Sequence, residues 1–275
     1  IGERGAKTPS MSLHRILGLL LRYLLLYRQS WTRVMEIFFW PVMDLLVWGF
    51  LTTYLLKAGN SSVPALVTFL IGAMIFWDLL YRAQQGVTLS FLEDVWARNL
   101  LNIFVAPVTI GEFLAATLVL GFLKVLVNGL VLAALAWLFY AFDIFQLGFS
   151  LIPFVLSLLL MGWAMGMVTV ALIMRLGHAA EALAWAIPFF VQPLSAVFYP
   201  VSVLPAWLQW FAWVFPSTYV FEGMRETLRT GQAPWSLLWW SLALNVIYLA
   251  AAAWVFRRLF ATVRVKGLLG KLGME

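Results

Sequence analysis

FYPVSVLPAWLQWFAWVFPSTYVFEGMRE, residues 198–226, is too apolar for a loop and too broken for a spanning helix. It carries Pro200, Pro205 and Pro216 and closes on Glu222, Arg225 and Glu226. Irregular backbone at membrane depth must be buried in protein or line a cavity, because lipid cannot satisfy its N–H and C=O groups. The stretch therefore reads as a segment that dips into the membrane and returns. Pro200 ends the span before it. Pro205 sits at the first turn of a short aromatic helix, where proline is tolerated. Pro216 breaks that helix, and 218–225 form a second one.

The rest of the chain supports a membrane setting. Of 275 residues, 64% are hydrophobic and 11% charged, against about 25% charged in soluble domains. Several continuous apolar runs reach the ~20 residues that cross a bilayer as a helix. Short alternating strands, the mark of a membrane barrel, are not seen. The expected fold is an all-α membrane protein with spans near 35–56, 64–84, 109–140, 150–174, 179–199 and 235–256. Residues 1–10 read as a flexible tail or expression remnant ahead of Met11, and 261–275 as a basic tail. No cleavable signal peptide is evident.

Orientation follows from the basic residues. Arg15, Arg22, Arg28 and Arg33 precede the first span, the 85–108 loop holds Arg98 with Arg82 just before it, and Arg257, Arg258, Arg264, Lys266 and Lys271 follow the last. The positive-inside rule then predicts six spans with both termini cytoplasmic, and the 200–229 segment outside. The net charge of +6 gathers beside the spans, so it is no sign of nucleic acid. With no cysteine, disulfides and thiolate chemistry are excluded.

Residues 11–33 read as an interfacial amphipathic helix. Ser12, Arg15, Arg22, Gln29 and Arg33 share one stripe, expected to face phosphates and water, with Leu13, Leu17, Leu20 and Leu24 off it. In the 85–108 loop, Ser90 and Glu93 have capping-box spacing, and Asp94 and Arg98 are spaced to pair. A short helix over 90–100 suits either docking into a partner's groove or lying on headgroups, and the pattern leaves both open. Three ionisable residues fall inside spans: Asp44, Asp78 and Lys124. Burying such a charge costs at least about 2.5 kcal/mol, so each needs protein or water around it. Lys124 is expected to pair with Asp44 or Asp78, or Asp78 with its i+4 neighbour Arg82.

Two stretches resemble the membrane (permease) subunit of type-2 ABC exporters. LEDVWARNLLNIFVAPVTIGEF, 92–113, is similar to that family's loop between spans 2 and 3. YPVSVLPAWLQWFAWVFPSTYVFEGMRE, 199–226, is similar to its outer segment between spans 5 and 6. The resemblance covers residues 11–260. It implies that the 90–100 helix couples to a separate ATPase through Glu93, Asp94, Trp96 and Arg98. It implies two ABC ATPase subunits that hold ATP and Mg, and a second copy of this chain forming a homodimer in a bacterial cytoplasmic membrane. It also implies a translocation path lined by Trp48, Trp77, Phe190, Phe198 and Tyr199. The paired outer segments would then form an outer gate from Pro205, Pro216, Tyr219, Glu222, Arg225 and Glu226. The expected function is ATP-driven export of a lipid-linked glycan or an amphiphilic small molecule.

Other chemistries fit less well. No Gly-x-x-x-x-Gly-Lys-Ser/Thr run is present, so ATP hydrolysis is expected on a partner chain, with no cofactor in this one. No hydrolase or zinc-protease signature occurs, and the two histidines, His14 and His178, lie far apart in sequence. The rival reading is an ion-coupled secondary transporter using Asp44, Asp78 and Lys124. Against it, the two halves of the chain share no pattern of breaks.

Overall fold

A computed structural model describes residues 11–58 and 63–266. The expected tail at 1–10, the turn at 59–62 and the basic tail beyond Lys266 lie outside the described residues. Among the described residues ten α-helices form: α1 Leu13–Gln29, α2 Trp31–Ala58, α3 Val63–Trp96, α4 Leu100–Val105, α5 Ile110–Tyr140, α6 Leu151–Leu176, α7 Leu183–Leu194, α8 Ala206–Ala212, α9 Pro216–Thr230 and α10 Trp235–Val265. No strand occurs among the described residues.

α3 is the central post. Every residue from Phe69 to Leu80 is buried, against α2, α5, α6 and α9, while α10 packs on the far side of α6. Close approach needs small residues. A Cβ on Gly86 would lie 2.3 Å from the Cα of Gly121, and one on Gly162 would lie 2.7 Å from the Leu80 carbonyl oxygen. Gly86–Gly121 thus brings α3 against α5, and Gly162 brings α6 against α3. Buried polar side chains tie the remaining helices. Asn245 of α10 donates to the Ser157 carbonyl (3.0 Å), Ser157 and Ser241 share a hydrogen bond, and Ser241 donates to the Pro216 carbonyl at 2.7 Å.

Among the described residues four stretches are helical, long and apolar enough to cross a membrane: Trp31–Leu55, Ile110–Tyr140, Ile144–Leu176 and Trp235–Val265. They match four of the six expected spans. The other two differ in character. α3 has 34 residues, about 51 Å of helix, but carries Asp78, Arg82, Gln84 and Gln85 at its centre. α7 has only 12 residues, about 18 Å, short of the ~30 Å hydrocarbon core. Its helix runs through Pro188 and Pro193 and stops at Leu194, not at Pro200. Ala196 then takes the left-handed region at φ 50°.

Two further expectations are corrected. No separate helix starts at Ser90: α3 continues to Trp96, and the Ser90 hydroxyl donates back to the Gly86 carbonyl at 2.7 Å. The break comes at Arg98, whose φ of 54° turns the chain into the six-residue α4. The basic stripe of α1 also points inward. Arg15 and Arg22 meet acids of α5 and α3, while Leu13, Leu17, Leu21 and Leu24 are exposed; the expected 11–33 helix ends at Gln29, so Arg33, which meets Glu93 of α3, belongs to α2. The helix is amphipathic, but its apolar face is the outer one, as suits a helix against lipid.

Candidate functional site

Three regions carry the charged and aromatic side chains. The first is the joint between α1, the end of α3 and the start of α5. Asp94 is buried and accepts from the Tyr23 hydroxyl at 2.7 Å, from Arg22 and from Asn99. Arg33 donates to Glu93 at 2.6 Å. Glu112 is wholly buried and accepts from the backbone N–H of Ser12 and of Thr109, both at 2.7 Å, and from Arg15 at 2.8 Å. Thr109 and Glu112 form a complete capping box, so the same carboxylate starts α5 and anchors α1. Burial raises the Tyr23 hydroxyl above its ordinary value, and the Asp94 charge raises it further, so the hydroxyl stays a donor. For Arg22, burial opposes the charge, but the hydrogen bond and charge of Asp94 prevail and hold the guanidinium above its ordinary value.

This joint rearranges the expected coupling residues. Glu93 and Asp94 face inward, onto Arg33 and Arg22, and Asp94 does not take Arg98 as its partner. Trp96 and Arg98 remain exposed. The Trp96 indole donates to Glu181 at 3.0 Å, and Glu181 also meets His178, so the α3 end is joined to the turn after α6. The Thr-x-x-Glu at 109–112 was the sequence signal for Glu112, standing two residues past Pro107.

The second region lies around α9. Arg225 donates to the carbonyls of Ala196, Val197 (3.1 Å) and Tyr199 (2.6 Å), and pairs with Glu222 at 2.9 Å. It also lies 4.4 Å from the Phe69 ring centroid. Glu222 accepts the Val201 N–H at 2.6 Å. These two residues staple the chain after α7 onto α9. Glu226 is exposed. Pro205 caps α8, and Pro216 stands in the first turn of α9. Tyr219 packs on Trp213 at 4.8 Å. Trp207, Trp210 and Phe211 are exposed, as aromatic interface anchors are.

The third region is a cavity of about 610 Å³ between α2, α3 and α7. α2 contributes Trp40, Asp44 and Trp48; α3 contributes Met74, Trp77, Asp78, Tyr81, Arg82, Gln85 and Leu89; α7 contributes Trp185, Phe189 and Gln192; Phe198 closes it. Trp48 and Phe198 stack at 4.3 Å with 17° between their planes. Asp78 takes Arg82 at 3.3 Å and Asn128. Asp44 is exposed and makes no hydrogen bond or ion pair among the described residues. Of the residues expected to line a path, Trp48, Trp77 and Phe198 come together here. Phe190 is 68% exposed on another face, and Tyr199 bonds the Pro193 carbonyl outside the cavity. Asp44 and Asp78 share the cavity; Lys124 does not line it and lies 4.6 Å from the Tyr27 ring. Asp78 thus follows the Arg82 alternative.

The two polar regions are far apart. Phe69, beside Arg225, and Asp94, beside Arg22, are separated along α3 by about 37 Å of helix. The cavity lies between them. No group of three or more metal-ligating residues occurs among the described residues. The chain belongs to the ABC-2 type transporter family, whose model matches residues 19–229. It is the membrane-embedded permease part of such a transporter, a multi-pass subunit of a class that is generally non-catalytic and works with ABC ATPases. A search of curated proteins found no match.

Proposed function

We propose that this chain is the membrane subunit of an ATP-driven exporter, moving an amphiphilic small molecule or lipid-linked glycan outward by alternating access. The observation that carries the reading is the cavity, where Trp48, Trp77 and Phe198 meet the intramembrane carboxylates Asp44 and Asp78. Intramembrane acids facing a cavity mark a pathway more often than a static core. A second copy forms a homodimer and completes the path, since Trp40, Asp44 and much of α2 are otherwise exposed. Two ATPase subunits, holding ATP and Mg, dock at the α3–α4 corner on Trp96 and Arg98. The corner is supported from behind by the Arg22–Asp94 and Arg33–Glu93 pairs. In a bacterial cytoplasmic membrane the chain crosses six times with both termini inside, α3 and the α7 segment making the polar crossings. The α8–α9 segment closes the path on the outer side.

The chain has no cysteine, so Phe198→Cys is a unique label site. In membranes containing the ATPase partner, maleimide labelling of Phe198→Cys from outside is expected to change at least about threefold when a non-hydrolysable ATP analogue replaces ATP-free buffer, on the gating logic of population shift. Equal labelling in both states opposes a path here. Transport on an ion gradient by the lone chain would replace this reading with the secondary transporter using Asp44, Asp78 and Lys124.

A further inference from the structure

The cavity between α2, α3 and α7 is negative as well as aromatic. Its charged lining is two carboxylates, Asp44 and Asp78, against one guanidinium, Arg82. Arg82 is drawn onto Asp78 at 3.3 Å, and Asn128 also donates to that carboxylate. Arg82 hydrogen-bonds one acid and reaches the other only through space, so two carboxylates share one guanidinium and the lining keeps one net negative charge. Gln85 adds to the imbalance. Its Nε2 donates to the Ala184 carbonyl at 3.0 Å, which sets the amide's orientation, and its Oε1 is buried without a partner. Around these acceptors stand four indoles, Trp40, Trp48, Trp77 and Trp185. Aromatic faces attract cations through their quadrupole, most strongly for Trp and most of all where water is excluded. An anionic ligand would meet this net negative lining, and a neutral one would leave two acids sharing a single guanidinium at membrane depth.

We propose that this cavity selects a lipophilic cation, with Asp44 as its counter-charge and the indoles as its wall. The proposal rests on the reading of the cavity as the transport path, and it narrows the substrate to the amphiphilic, positively charged class. A neutral or acidic lipid-linked glycan is then the disfavoured cargo. Asp44 supplies the charge selectivity; the Asp78–Arg82 pair, already neutral, does not.

The test uses two ions of matched size and shape and opposite charge, tetraphenylphosphonium and tetraphenylborate. Each is equilibrated by dialysis with the purified permease–ATPase complex in detergent, against protein-free micelles that correct for micelle uptake. The cation is expected to bind saturably, at least about tenfold tighter than the anion. Asp44→Asn is expected to bring the two affinities within about threefold of each other, and Asp44→Glu to keep the preference. Equal binding of the two ions by the wild-type complex, or an unchanged ratio in Asp44→Asn, overturns the proposal. The wild-type ratio decides it even if Asp44→Asn fails to fold. State-independent labelling of Phe198→Cys would sink the path reading instead, whatever the ion ratio, so the two failures are separable.

Discussion

Asp94 is 2% exposed and holds Arg22, Tyr23 and Asn99 at once. Asp94→Ala leaves the Tyr23 hydroxyl buried without an acceptor and Arg22 without its counter-charge. Arg22 keeps a third of its side chain in contact with solvent, which softens the loss. We expect about 2 kcal/mol of destabilisation, read as a lower melting temperature of the detergent-solubilised protein, with Asp94→Asn losing less. Arg225 is the second such residue. It meets three backbone carbonyls that no other side chain serves among the described residues. Hydrogen bonds to charged groups contribute about 1.5–3 kcal/mol each. Arg225→Ala should lower the melting temperature and speed proteolysis after Leu194. Arg225→Lys should rescue it only in part, because a point ammonium lacks the planar fork. Wild-type melting in both variants would remove Arg225 from this structural role.

Among the elements, α3 is held by close backbone contact. Gly86→Val would drive a branched side chain into the Gly121 backbone. Overpacking of this kind costs about 1–3 kcal/mol, and the expected readout is a loss of monodisperse protein on size exclusion. Gly86→Ala should do less damage in the same direction. The helix ends show where local reading succeeds. Proline at 205 placed the start of α8, because a missing N–H and a preset φ act on their own residue; Pro216, read as the break before a helix at 218–225, itself stands in the first turn of the longer α9. Ser90 and Glu93 misled, because their spacing is a helix-start signal only where the helix actually starts. Here α3 is already underway, and packing of Phe91, Leu92 and Val95 carries it on. The real capping box, Thr109–Glu112, had the same spacing three residues apart. The local difference is Pro107, which stands two residues before Thr109 and has no counterpart before Ser90.

For the molecule as a whole, two ends of α3 carry the joints and its middle carries the cavity. Trp96 and Arg98 stand exposed at one end, with the chain behind them braced by ion pairs. Replacing both with alanine removes the exposed Trp96–Glu181 hydrogen bond and is expected to cost no more than about 1 kcal/mol of stability, yet to reduce ATPase co-purification about tenfold or more, as loss of an aromatic–arginine hot spot does. Unchanged co-purification would move the docking surface elsewhere. The sequence by itself determined the membrane class, most helix positions, the break in the segment after α7, and the acids and aromatics that the cavity brings together. Those follow from hydropathy, proline geometry and helical period, which act within about 20 residues. Only the tertiary structure decided the partners. Arg22 lies 72 residues from Asp94 in the chain, Arg15 97 from Glu112, and Trp48 meets Phe198. A charge in sequence has many candidate partners, and Arg98 was the nearer one for Asp94. The left-handed turn at Arg98 and the burial of Asp94 beneath α1 made the choice, because a buried carboxylate goes to the donors that packing brings to it.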